Sequence, residues 1–180
     1  MKWEIDKSFN FEMGHRVWAQ KLDHLHLSIS GECACKHLHG HSYEIKVFLG
    51  ADTLDQSQMV TDFKNINFMK VFVDDVLDHK FMIDINDPNF EIITSVQSIF
   101  ASDCDFRNFT NLGEWASVNM NVHADRLLHL NSFVLVDFVP TSENICKYLK
   151  QYAQSVIGDV ATVTALELWE TKKSHCRYTD

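Results

Sequence analysis

The sequence predicts an α+β domain in which an antiparallel sheet carries two helices on one face. Two kinds of hydrophobic period say so. Segments 3–15 and 43–49 place apolar side chains at every second residue, the period of a strand with one buried face. Segments 66–77 and 145–156 place them at every third or fourth residue, the period of an amphipathic helix. The order along the chain is β, β, α, an ambiguous stretch, β, α, β. That order suits strands lying together with helices segregated to one side.

The elements follow in turn. In the first strand Trp3, Ile5, Phe9, Phe11, Met13 and His15 share one parity. The second begins near His39 and ends at Gly50, with Tyr43, Ile45, Val47 and Leu49 set against Glu44 and Lys46. Residues 16–36 between them form a long irregular connection. Loops of that length are usually functional or disordered, and this one carries aromatics and cysteines, which favours function. The first helix has Ile66, Met69, Val73, Val76 and Leu77 on one face, Asp62 as its N-cap and an end near His79. The second is capped by Thr141 or Ser142, has the stripe Ile145, Leu149, Ala153 and Val156, and stops at Gly158. "FVLVDFV" before Pro140 and "VATVTALELWET" read as two further strands, rich in β-branched residues. Residues 89–131 show no clean period.

Composition bounds the function. The 180 residues fit a single domain, 1–180, with an insertion of uncertain structure at about 89–133. Hydrophobic residues make up 46%, and six Gly and two Pro leave little room for linkers, so the chain folds around a real core. A formal charge of −9 argues against a nucleic-acid partner, which needs a basic face. No apolar run approaches the roughly 20 residues of a membrane span. Acids stand in the N-terminal segment where a signal peptide is apolar. The five cysteines, an odd count, then read as reduced thiols, and the expected location is cytoplasmic.

Histidine is the feature to explain: six of ten fall between positions 15 and 41. Residues two apart on a strand share a face, so His39 and His41 point the same way, with Gly40 adding no side chain between them. His15 closes the first strand. If the two strands pair as a wide hairpin, His15 falls opposite His39 and His41. Three imidazoles then converge and leave a coordination position open, as catalytic zinc sites do. His24 and His26 form a rival pair, and His37 shares the parity of His39 and His41. Periodicity alone does not choose among them.

Six separated motifs, "FEMGHRV", "CKHLHGHSYEI", "TDFKNI", "LDHKFM", "PTSENI" and "WET", occur in the order seen in the 6-pyruvoyl-tetrahydropterin synthase / 6-carboxytetrahydropterin synthase family. The chain resembles that family over roughly residues 3–88 and 134–178. The resemblance implies the tunnelling fold: a four-stranded antiparallel sheet with two helices on one face, subunits joining edge to edge into a β-barrel, and a homo-oligomer, trimer or hexamer, with sites at subunit interfaces. It also implies Zn2+ held by His15, His39 and His41, with His37 a neighbour rather than a ligand.

The spacing of Cys35 before "HGH" resembles the 6-carboxy branch, where the thiolate acts as a base. A thiol near a dication and imidazoles has a lowered pKa. Cys33, two residues earlier, is a rival. Asp78 and His79 resemble the family's proton-moving pair, and with Cys35 they form the expected catalytic triad. Glu170 resembles the glutamate that anchors the pterin through two acceptor oxygens. Thr141 and Ser142 are expected to contact ligand as well as cap their helix. The implied substrate is 7,8-dihydroneopterin triphosphate. The implied products are 6-carboxytetrahydropterin, acetaldehyde and triphosphate, on the route to 7-deazaguanine and queuosine. Arg16, Lys36, Lys80, Lys172, Lys173 and Arg177 are candidate triphosphate cations, none assignable from the sequence. The segment 89–133, with Cys104, His123 and His129 read as structural, exceeds what compact members carry. Alternatives on the same scaffold are a 6-pyruvoyl-tetrahydropterin synthase, a dihydroneopterin side-chain aldolase and a non-catalytic pterin-binding protein.

Overall fold

The structure, a computed structural model, describes residues 1–21, 33–97 and 109–179. His24, His26 and Cys104 lie outside the described residues. Among the described residues seven strands hydrogen-bond in the order β4-β5-β3-β1-β2-β6-β7. They are β1 (Trp3–His15), β2 (His39–Ala51), β3 (Lys80–Asp84), β4 (Thr110–Asn111), β5 (Phe133–Val136), β6 (Thr162–Thr171) and β7 (Ser174–Thr179). The helices are α1 (Asn67–Phe72), α2 (Phe90–Thr94), α3 (Leu112–Asn119), α4 (Ala124–Leu130) and α5 (Ser142–Ile157). The fold is the expected α+β class, and its sheet is wider than the four strands read from the sequence. The chain forms two compact units.

The first unit comprises residues 1–12, 41–78 and 142–180. Its strands behave as their period demands. On β2, Tyr43, Ile45, Val47 and Leu49 are buried, while Glu44 and Lys46 stay partly exposed. β2 and β6 are antiparallel, with Ile45 opposite Leu168 and Val47 opposite Leu166, so two buried rows meet. β6 turns into β7, with Leu168 opposite Cys176 and Glu167 opposite Arg177. The sequence reading passed over β7 because "SHCRYT" is polar. It is an edge strand, half-buried only at Cys176 and Tyr178.

α5 lies against β6 and β7. Its buried row is Ile145, Leu149, Ala153 and Ile157, flanked by Cys146 and Lys150. The row advances in steps of four to Ile157, so Val156, expected on that face, is 48% exposed. Gly158 ends the helix at φ +57°, a conformation that favours glycine. The expected first helix is a composite. Asp62 accepts from Lys64 N–H and opens a tight turn over Phe63–Ile66, α1 follows, and a wider turn over Val73–Leu77 closes it. Phe72 packs on Tyr152 of α5, with ring centroids 4.1 Å apart.

The second unit comprises residues 13–40 and 79–141. The end of β1 pairs in parallel with β3, and β3 in parallel with β5. All four residues of β5 are buried. A strand covered on both faces shows no alternation, which is why its period was silent. The ambiguous stretch 89–131 holds α2, β4, α3 and α4. Asn111 caps α3 by accepting from Glu114 N–H at 3.0 Å. These short elements enclose a core of Ile83, Phe90, Val96, Leu112, Ala116, Leu130, Phe133 and Leu135.

Candidate metal centre and active site

His15, the last residue of β1, is buried to 1% exposure. His39 opens β2, and His41 follows two residues on, both half-buried. One ligand atom from each lies within 4.8 Å of the others. The rings of His15 and His39 have centroids 4.5 Å apart at 46°. Gly40 is needed between the ligands for a reason the sequence did not suggest. A Cβ there would stand 3.0 Å from the Met13 carbonyl oxygen, so the glycine admits the backbone of β1.

Two main-chain carbonyls orient two of the three rings. Pro140 O lies 2.7 Å from His15 Nδ1, and His37 O lies 2.8 Å from His39 Nδ1. A carbonyl oxygen can only accept, so both Nδ1 atoms carry protons. In the neutral ring the lone pair is then on Nε2, the form that binds a metal. His37 therefore holds a ligand in place through its backbone. Three neutral imidazoles suit zinc and its borderline neighbours among the divalent metals, and three ligands are the number a catalytic zinc site takes from protein. The donor set fits the metal.

The remaining expected residues are placed individually. Cys35 sits half-buried in a tight turn, Ala34–Lys36. Its carbonyl accepts from Val17 N–H at 2.8 Å, which ties the turn to the segment leaving His15. That segment is fixed again by Trp18 Nε1, which donates to Asp84 Oδ2 at 2.8 Å, and by Arg16, 3.0 Å from the buried Asp87 carboxylate. Asp78 ends the wide turn, its N–H donating to Val73 O, and its carboxylate accepts from Glu12 N–H at 2.8 Å. His79 is exposed and takes φ +59°, a strained conformation for a residue with a side chain. Thr141 N–H donates to Val139 O at 2.7 Å, and Ser142 is the first residue of α5.

Glu170 is half-buried where the β6–β7 register shifts, between Trp169 and Thr171. Such irregularities re-aim side chains beside functional sites. Burial pushes the nearby Cys176 thiol up, the Cys146 thiol opposes this, and the charges of Glu143 and Glu170 add to it. The charges of Glu143 of the "PTSEN" motif and of Glu170 thus both act on Cys176. Among the cations, Arg177 pairs with Glu167 at 2.6 Å and lies over the Phe48 ring, and Lys80 donates to Asn131 O at 2.9 Å. Arg16, Arg177 and Lys80 therefore have structural work, while Lys36, Lys172 and Lys173 are exposed at turns. Sequence reasoning missed Pro140 as the holder of His15, because a backbone carbonyl has no residue-type signature.

A family model described as 6-pyruvoyl tetrahydropterin synthase matches residues 4–180. The chain belongs to that family. It is 31% identical over 195 residues to a 6-carboxy-5,6,7,8-tetrahydropterin synthase of Aquifex aeolicus, covering 99% of this chain and 98% of the relative. Its structure is similar to that of an uncharacterized protein of Wolinella succinogenes, with TM-score 0.83 and 36% identity over 99% of this chain and 98% of the other. A 6-pyruvoyl tetrahydropterin synthase of Caenorhabditis elegans shares the fold at TM-score 0.56 and 20% identity, over 99% and 95% of the two chains. A pterin synthase of this family is thus the setting in which the histidine trio is found.

Proposed function

We propose that the chain is a zinc-dependent 6-carboxy-5,6,7,8-tetrahydropterin synthase. It converts 7,8-dihydroneopterin triphosphate and water to 6-carboxytetrahydropterin, acetaldehyde and triphosphate, a step toward 7-deazaguanine and queuosine. The observation that carries this reading is the trio His15, His39 and His41, with two Nδ1 atoms committed to backbone carbonyls. The full-length relative named for the 6-carboxy reaction supports the branch.

In this reading Nε2 of His15 and of His39, with a ring nitrogen of His41, would hold the ion. A zinc ion there supplies Lewis-acid polarisation of the substrate side-chain oxygens. Cys35 removes a proton from the substrate side chain as a thiolate. Asp78 supports His79, whose imidazole returns or relays a proton near neutral pH. Glu170 anchors the pterin by accepting hydrogen bonds from the ring N–H and amino group. Thr141 and Ser142 line the ligand at the start of α5. The working form is a cytoplasmic homo-oligomer, trimer or hexamer, with strand edges paired between copies. Among the described residues no helix is long and apolar enough to cross a membrane.

Turnover of 7,8-dihydroneopterin triphosphate with product analysis tests the reading. Acetaldehyde should appear together with triphosphate. Release of triphosphate without acetaldehyde would instead assign the 6-pyruvoyl reaction, and no turnover would leave a pterin-binding protein. Cys35→Ala should lose about 10²- to 10⁴-fold in kcat, the usual contribution of a positioned base. Activity equal to the parent would remove Cys35 from that role.

A further inference from the structure

The geometry points to Cys33 and Cys35 as a site of reversible oxidation, at which a hydroperoxide links the two sulfurs in an intramolecular disulfide. The two thiols are already in contact. The Cys33 sulfur hydrogen-bonds to the Cys35 backbone N–H and to the Cys35 thiol. The tight turn enforces this approach: Lys36 N–H donates to Cys33 O at 3.3 Å, and His37 N–H to Ala34 O at 2.9 Å. Both thiols are half-buried and so open to a small oxidant, whereas Cys146 is fully buried. The Cys35 backbone N–H and thiol hold the Cys33 thiol below its ordinary range. Burial opposes them, and the Gln20 side chain and the Lys36 charge assist. A thiolate that is reachable and flanked by a second thiol is the arrangement that oxidises first and resolves to a disulfide.

The chemistry balances with the hydroperoxide as sole oxidant. The Cys33 thiolate attacks the O–O bond, takes one oxygen as a sulfenic acid and releases water or an alcohol. The Cys35 sulfur then attacks the Cys33 sulfur, the S–O bond breaks, and a second water leaves with the thiol proton. Two sulfurs are oxidised by one peroxide. A dithiol reductant reverses the bond by exchange. On the function proposed above, the consequence is loss of the base, because Cys35 is held in the disulfide.

The test treats the reduced, metal-loaded protein with one equivalent of hydrogen peroxide. Intact mass should fall by two hydrogens. Peptide mapping after alkylation should show Cys33 and Cys35 unmodified by the alkylating agent and joined to each other. Dithiothreitol should restore both thiols and the turnover. In Cys33→Ser the loss of two hydrogens should vanish, and with peroxide raised to two equivalents or more Cys35 should proceed through the sulfenic acid to a sulfinic acid that dithiothreitol does not rescue. A linkage elsewhere, or alkylatable Cys33 and Cys35 once peroxide is consumed, overturns the proposal. The mass readout is independent of turnover. A disulfide that forms in a protein with no pterin activity supports the oxidation site while the functional reading fails. A disulfide that leaves turnover intact supports it too and removes Cys35 as base.

Discussion

His15 and His39 each use one ring nitrogen on a main-chain carbonyl and so offer the other to a metal. The identity of these residues was legible in "FEMGHRV" and "HGH". Their orientation was not, because it is set by Pro140 O and His37 O, groups every residue possesses. A second residue-scale effect sits in α5. Burial, with the Cys176 thiol and other smaller effects, pushes the Cys146 thiol from 9.0 up to about 12. The folded state therefore keeps its proton where the unfolded chain gives it up. Below pH 9 both forms are protonated and stability is unaffected. Between pH 9 and about 12 the unfolded state alone ionises, so stability falls as pH rises. Urea unfolding across that window should show a steeper decline for the parent than for Cys146→Ala.

Among the elements, β2 and α5 show how far period carries. Ile45 is 0% exposed and faces Leu168 across the β2–β6 ladder. Ile45→Ala should cost about 2–5 kcal/mol in chemical denaturation, the range for truncating a buried aliphatic side chain. Val156, placed on the same buried face by a three-residue step, is largely exposed, and Val156→Ala should change stability by no more than about 0.5 kcal/mol. Equal costs at the two positions would contradict the burial pattern. Amphipathic elements were readable because one face met water. β5, buried throughout, shows no alternation and was read from its β-branched residues instead, while the short α2, α3 and α4 were not readable, because a helix of two turns gives too few repeats.

For the molecule as a whole, the zinc proposed for the trio would link metal to stability. A ligand that binds only the folded state adds RT ln(1 + [L]/Kd), about 2.7 kcal/mol at a hundredfold excess over Kd. Removing zinc with a chelator should lower the Tm by several degrees, and re-addition should restore it. His39→Ala should bind well under about one zinc per chain and show no such shift. A parent Tm insensitive to both treatments would argue that the trio holds no ion.

By itself the sequence determined the residue types and the order of the main strands and helices, because alternation, helical spacing and motif order are local or one-dimensional properties. It also put His15, His39 and His41 forward as ligands. Only the tertiary structure decided that Gly40 makes room for β1, that Pro140 and His37 aim the imidazoles, that the ambiguous stretch builds a core of its own, and that Cys33 touches Cys35. These depend on distances between backbone and side-chain atoms that local periodicity does not encode.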